Sequence, residues 1–289
     1  MRKLVAGLVS LSLMGGSSAL AQDAGSAAKS NSVEKSNFPS TGYLQFPPHF
    51  QPRRAGAADK VNAAPPPLPS YVQPPLSQAG DLWVSGFWGW REPIPDYYWV
   101  PGTWVRPPQQ GLLWTPPYWT RVDGGYMLHA GYWAEQVGFY GGVDYGYGYT
   151  GDGYQGGRWE NGVFSYNRAA NNLGSLDIAN VYDEAVAADT KSMRVSFNGG
   201  SRGTTARPTS REEALAGERH VEATAEQQKH FESAAMDRAL YSRLNHGEPG
   251  VAATSRAGVL EGAGVTRISG LVDNAAQPGH SVTTSVNAK

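Results

Sequence analysis

The sequence predicts a mainly β protein. Its centre is a tryptophan-rich antiparallel β-hairpin or meander module, with a proline-rich linker before it and a helical, partly disordered tail after it. Three observations predict this. All nine tryptophans lie between Trp83 and Trp159. A six-residue aromatic unit with Gly or Pro at its fourth position recurs through that stretch. Further breakers separate the units, at Glu92 to Asp96, Pro107 to Gly111 and Asp123-Gly124-Gly125, so no stretch is long enough for two helical turns.

The N-terminal segment 1–21 has the grammar of a secretory signal peptide. Arg2 and Lys3 form a basic start, Leu4 to Met14 an apolar run, and Ala19-Leu20-Ala21 a small-x-small cleavage site. The run is about eleven residues, against the roughly 20 needed to span a bilayer. The expected location is therefore periplasmic, cell-envelope associated or secreted, with cleavage after Ala21 and no transmembrane segment thereafter. The chain has no cysteine, which excludes disulfides, thiolate metal sites and a lipidated cysteine at the mature start.

Residues 22–81 read as a disordered linker. Ten of the twenty prolines fall between Pro39 and Pro75. The run Pro65-Pro66-Pro67-Leu68-Pro69 and the pair Pro74-Pro75 favour polyproline II, with a solvated backbone. A contrasting reading lays Pro65 to Pro75 on the aromatic module itself, as proline-rich ligands lie on aromatic grooves.

Residues 82–168 carry the repeat. The units are Trp83 to Trp88, Trp99 to Trp104, Trp114 to Trp119 and Leu128 to Trp133, with a distant fifth at Trp159 to Phe164. The first four start 16, 15 and 14 residues apart. A two-residue turn at positions three and four would make positions one and six a cross-strand aromatic pair. Gly86, Gly102, Gly131 and Gly162 would then supply the positive φ of the turns. Asn161-Gly162 is the best such signal. Within residues 139–157, the run Tyr145-Gly146-Tyr147-Gly148-Tyr149 reads either as a strand with one tyrosine face or as a loop.

Residues 169–208 form an irregular segment, with a short strand or helix expected within Asp177 to Val186 and a short strand at Met193 to Phe197. Residues 209–247 are helical. Ser210 with Glu213 suggests one capping box, and Thr224 with Gln227 a second that opens a helix from about Ala225 to Leu244. Its apolar stripe is Phe231, Ala235, Met236, Leu240 and Leu244. Residues 248–289 read as a disordered tail.

The repeat region resembles the bacterial YXWGXW repeat-containing proteins. The likeness rests on Tyr98-Trp99-Val100-Pro101-Gly102-Thr103-Trp104, Leu112 to Trp119 and His129-Ala130-Gly131-Tyr132-Trp133, and extends over roughly residues 82–250. Pro117 departs from the pattern where it has Gly, and Leu128 where it has an aromatic. The resemblance implies an exported envelope protein and transfers no functional residue.

The chemistry points away from catalysis. No histidine pair has metal-ligand spacing, no nucleophile elbow, Walker loop or dinucleotide fingerprint occurs, and no cofactor is implied. A net charge of -1 without a basic stripe argues against nucleic acid. The expected role is a scaffold or binding protein whose aromatic surface contacts peptidoglycan, another glycan or an envelope protein. The stacking candidates are Trp88, Trp90, Trp104, Trp119 and Trp133. The alternatives are a self-associating matrix component, through aromatic edge strands and the Gly/Tyr run, and an enzyme of unrecognised type.

Overall fold

Tryptophans on alternate positions of short strands need a partner strand to cover them, and the chain supplies one by folding back on itself twice. The computed structural model describes residues 60–92, 94–186 and 194–268. The segment read as a signal peptide lies outside them. The first fold-back runs β1 (Leu82–Val84), β2 (Phe87–Arg91), β3 (Asp96–Val100) and β4 (Gly102–Val105). The inner pair β2–β3 sets Trp88 opposite Trp99, and the outer pair β1–β4 sets Trp83 opposite Trp104. Both pairs keep one register, so this is a single long hairpin with an interruption in its middle. The second repeats the plan with β5 (Leu113–Thr115), β6 (Tyr118–Val122), β7 (Gly125–His129) and β8 (Tyr132–Ala134). Here Trp114 faces Trp133 and Trp119 faces Leu128, again in one register.

These registers correct the expected hairpins. In the first four units the bend is not a turn; it is where the chain passes from the outer to the inner pair. The turns are at the breakers between units, at Ile94-Pro95 and at Asp123-Gly124. The register explains the interruption. It places Pro101 opposite Gly86 and Pro116 opposite Gly131, and proline has no N–H to give to a ladder. Only the fifth unit folds as expected. β11 (Gly157–Glu160) and β12 (Val163–Asn167) pair Trp159 with Phe164 around Asn161-Gly162, which have φ of 50° and 78°.

The glycines are needed for a different reason from the one expected. Gly86, Gly102 and Gly131 are absent from the positive-φ residues among those described. Each is instead a seat for an indole. A Cβ on Gly86 would lie 2.4 Å from Trp99 Cζ2, on Gly102 2.5 Å from Trp83 Cζ2, and on Gly131 2.5 Å from Trp114 Cζ2. The fourth equivalent position is Pro117, and the residue whose ring would cover it is Leu128. The two departures from the repeat are thus one coupled exchange: where the seat is lost, so is the ring.

The Gly/Tyr run is neither an extended strand nor a loose loop. β9 (Asp144–Gly146) and β10 (Tyr149–Thr150) form a tight hairpin, with Tyr147 at φ 52° between them. Tyr145 and Tyr149 are buried, and their hydroxyls donate to Pro117 O and Trp114 O. The tyrosines therefore lock the Gly/Tyr hairpin onto the second fold-back.

The remaining elements close the core. β13 (Val181–Tyr182) adds parallel to β12, and β14 (Phe197–Asn198) adds parallel to β6. Helix α1 (Ser210–Ala216) starts one residue before the expected position, because Thr209 and Glu212 form the capping box. Helix α2 (Ala225–Met236) has the expected Thr224–Gln227 box but stops at Asp237, short of Leu244. Its buried face is Gln227, His230, Phe231 and Ala234, one step round from the expected stripe, and Phe231 meets Phe87 edge-on at 5.3 Å. Met236 and Leu244 are exposed. After a 3₁₀ turn at Arg238–Leu240 and a short helix α3 (Ser242–Asn245) come β15 (Ala253–Thr254) and β16 (Val265–Thr266). β15 lies parallel to β4, and Ala252, Ala253 and Thr254 are sealed from solvent. Within residues 248–268, β15 and β16 thus join the core sheet where a disordered tail was expected. Residues 269–289 lie outside the described residues.

Candidate binding site

The expected stacking platform does not form. Trp88, Trp104, Trp119 and Trp133 are buried, and Trp90, partly covered, packs edge-on against Tyr97 at 4.9 Å. Trp83–Trp104, Trp88–Trp99 and Trp114–Trp133 have ring centroids 5.2 to 5.3 Å apart with planes tilted by 56° to 68°. Such pairs add about 0.5–1.5 kcal/mol each beyond their buried area. Several indole N–H groups are also used internally: Trp119 donates to Trp88 O, Trp133 to Gln227 Oε1 and Trp99 to Ala252 O, whereas those of Trp83 and Trp114 are buried without a partner. A ring with both faces covered cannot stack on a polymer, so Trp88, Trp104, Trp119 and Trp133 are core, and Trp90 packs at the core's edge.

What covers them is the proline-rich segment. Residues 60–76 cross the aromatic module as an extended strap, and that part of the expected linker is ordered. Val61, Leu68 and Leu76 are buried. Prolines offer carbonyls and no N–H, so the module supplies the donors. Trp88 Nε1 donates to Pro67 O at 3.1 Å, Trp104 Nε1 to Pro74 O at 2.9 Å, and Tyr97 Oη to Ala63 O at 2.7 Å. Proline-rich ligands are held on aromatic grooves in this way; here the ligand is the chain's own.

The strap also creates a cavity of about 610 Å³, within the range of small-molecule sites. One wall is strap, from Leu68 to Gln73. The opposite wall is the β9–β10 hairpin from Asp144 to Thr150 together with residues 168–172. Val72, Arg168, Ala169 and Asn172 are exposed at its mouth, and Trp99 and Tyr145 lie at its floor. Tyr71 and Tyr147 pack 5.6 Å apart, and the Tyr147 hydroxyl donates to Tyr71 O. Burial pushes the Tyr147 phenol up to about 12, so it stays a neutral donor at any physiological pH.

The polar groups of the wall are mostly committed to the fold. Asp144 Oδ1 accepts from Gly146 N. Gln73 Oε1 accepts from Asn172 N, and Asn172 Nδ2 donates to Gln73 O, which ties strap to wall. Asn171 Nδ2 donates to Gly156 O and Asn167 O. Two buried atoms of these residues have no hydrogen-bond partner: the donor Gln73 Nε2 and the acceptor Asn171 Oδ1. Arg168 is paired with Asp183, and Arg194 Nε donates to Leu68 O.

No family model, curated protein or solved structure matches the chain. The YXWGXW likeness therefore rests on the sequence resemblance alone.

Among the described residues, no group of three His, Asp or Glu side chains could hold a metal, and no helix is long and apolar enough to cross a membrane. His129 lies flat on Tyr118, with centroids 4.4 Å apart and planes 5° apart. Sequence reasoning missed the cavity because its walls come from residues about a hundred positions apart. One signal was present: Tyr71 and Gln73 interrupt the prolines, and a plain spacer has no use for them.

Proposed function

We propose that this chain is an exported, non-catalytic binding protein of the cell envelope, related to the YXWGXW repeat proteins. In this reading the leader is removed after Ala21, the tryptophan hairpins are a rigid scaffold, and ligand enters the strap-lined cavity. The ligand class is an envelope glycan or a short envelope peptide. The observation that carries the reading is the open cavity whose wall the proline strap supplies. It offers exposed apolar and polar groups side by side, whereas Trp88, Trp104, Trp119 and Trp133 are enclosed.

The test uses the mature chain, residues 22–289, and isolated cell-wall sacculi. The protein should co-sediment with sacculi, and Ala169→Trp, which places a large side chain at the mouth from an exposed position, should reduce retention at least tenfold. Equal retention of the two proteins rules out the cavity as the contact. A chain recovered from the cytoplasm with residues 1–21 intact rules out the export reading.

A further inference from the structure

We infer that Arg194 seats a carboxylate of the ligand at the mouth of the cavity. This rests on the binding reading above and names the group by which the ligand is held. Three features of the accessible wall carry it.

The first is the guanidinium itself. Arg194 is exposed and borders the cavity at the Leu68 end of the strap. Its Nε donates to Leu68 O at 3.1 Å, and its carbonyl accepts from Leu68 N at 2.8 Å. These two bonds hold the residue against the strap. Nη1 and Nη2 have no partner among the described residues. A planar fork with free N–H groups and a permanent positive charge matches the two oxygens of a carboxylate.

The second is the balance of charge. The charged side chains lining the cavity are Arg168, Arg194 and Asp144. Arg168 is paired with Asp183, and Asp144 is buried, with Oδ1 accepting from Gly146 N. Arg194 is therefore the accessible charge that no described group neutralises. The chain as a whole carries -1. Its bulk charge does not draw an anion, so a local cation has to.

The third is the backbone. Arg194 holds a φ of 82°, in the left-handed region. Any side chain there costs free energy that glycine would not, and residues kept in such conformations cluster at ligand clamps. The strap then sets the shape of the ligand. Leu68 to Val72 is four residue steps, about 12 Å along an extended chain, and Val72 is 64% exposed. The carboxylate sits at Arg194 and an apolar part of the ligand against Val72. A peptide end and a uronic acid sugar are the two sources of such a carboxylate.

The experiment is co-sedimentation of the mature chain with sacculi at low salt. The sacculi are used untreated and after carbodiimide coupling to ammonia, which turns their carboxylates into amides. Retention of the parent should fall about tenfold on the amidated wall, the size of one charge-assisted contact. Arg194→Gly should lose as much on the untreated wall yet unfold in urea close to the parent, because glycine accepts this φ freely. The exposed control Met236→Ala should be retained as the parent is. Acetyl-trialanine and trigalacturonate, added as competitors, separate the two sources, and displacement by either assigns it. Displacement by neither overturns the carboxylate assignment. Equal retention of parent and Arg194→Gly, or of the parent on the two walls, also overturns it; a loss still seen in Ala169→Trp then leaves the cavity reading standing. An Arg194→Gly chain that loses both retention and urea midpoint makes the arginine a strut of the strap and overturns its ligand role. No retention of the parent on either wall removes the cavity reading as well.

Discussion

At the residue scale, glycine in this repeat acts through absent volume. Gly102→Ala should destabilise the protein by about 1–3 kcal/mol, because the new methyl meets the Trp83 ring and overpacked cores lose that much. Gly250→Ala, with open space around the new methyl, should stay within about 0.5 kcal/mol of the parent. Urea unfolding of the two variants checks this; equal effects would refute the seat argument. His230 carries a second prediction. It is fully buried, donates from Nε2 to Pro101 O and accepts at Nδ1 from Gly258 N. Burial lowers its pKa from 6.5 to about 4. The unfolded chain therefore takes up this proton first as pH falls. The stability is present in full above 6.5 and drains away between 6.5 and 4, by roughly 3 kcal/mol in all. Urea melts at pH 7.5, 5.5 and 4.5 should show that loss in the parent and a flatter profile in His230→Gln. Parallel profiles would assign the acid sensitivity elsewhere.

At the element scale, the unit of construction is the interrupted hairpin. Its outer and inner strand pairs share one register, and an indole crosses from one strand onto a glycine of the other. The exception tests the rule. If Leu128 and Pro117 are the fourth ring and seat exchanged together, Leu128→Trp alone should clash with Pro117 and destabilise. Pro117→Gly alone should leave a gap and free the backbone, and also destabilise. The double variant should recover at least about 1 kcal/mol of the summed loss, within the usual coupling of residues in contact. Additive losses in a double-mutant cycle would show that the positions are independent. The strands themselves were readable from aromatic alternation and turn spacing. Their pairing was not, because a six-residue unit fits equally a tight turn with paired ends or a crossing between two ladders. Only at Asn161-Gly162, where local turn chemistry is strong, did the unit decide its own partner.

At the scale of the whole molecule, the strap changes what the tryptophans mean. Removing residues 22–76 should uncover Trp88 and Trp104, move tryptophan emission to the red and speed proteolysis of the remaining chain. Emission unchanged from the parent would mean that the strap contributes no cover. The second closure is β15, which lies beside β4 although more than a hundred residues separate them. These two late and early segments turn a pair of hairpins, marginal alone, into one core.

The sequence by itself determined the mainly β class, the positions of the strands and breakers, the helix start at Thr224 and the fifth hairpin. Each follows from local periodicity, turn residues or capping, which act within a few positions. The tertiary structure alone decided that seven of the nine indoles are enclosed, that prolines 65–75 are a wall and not a spacer, and that a cavity lies between the strap and residues 168–172. The reason is that burial and donor–acceptor matching depend on which distant segment arrives, and a proline carbonyl carries no mark in the sequence of the indole N–H that will find it.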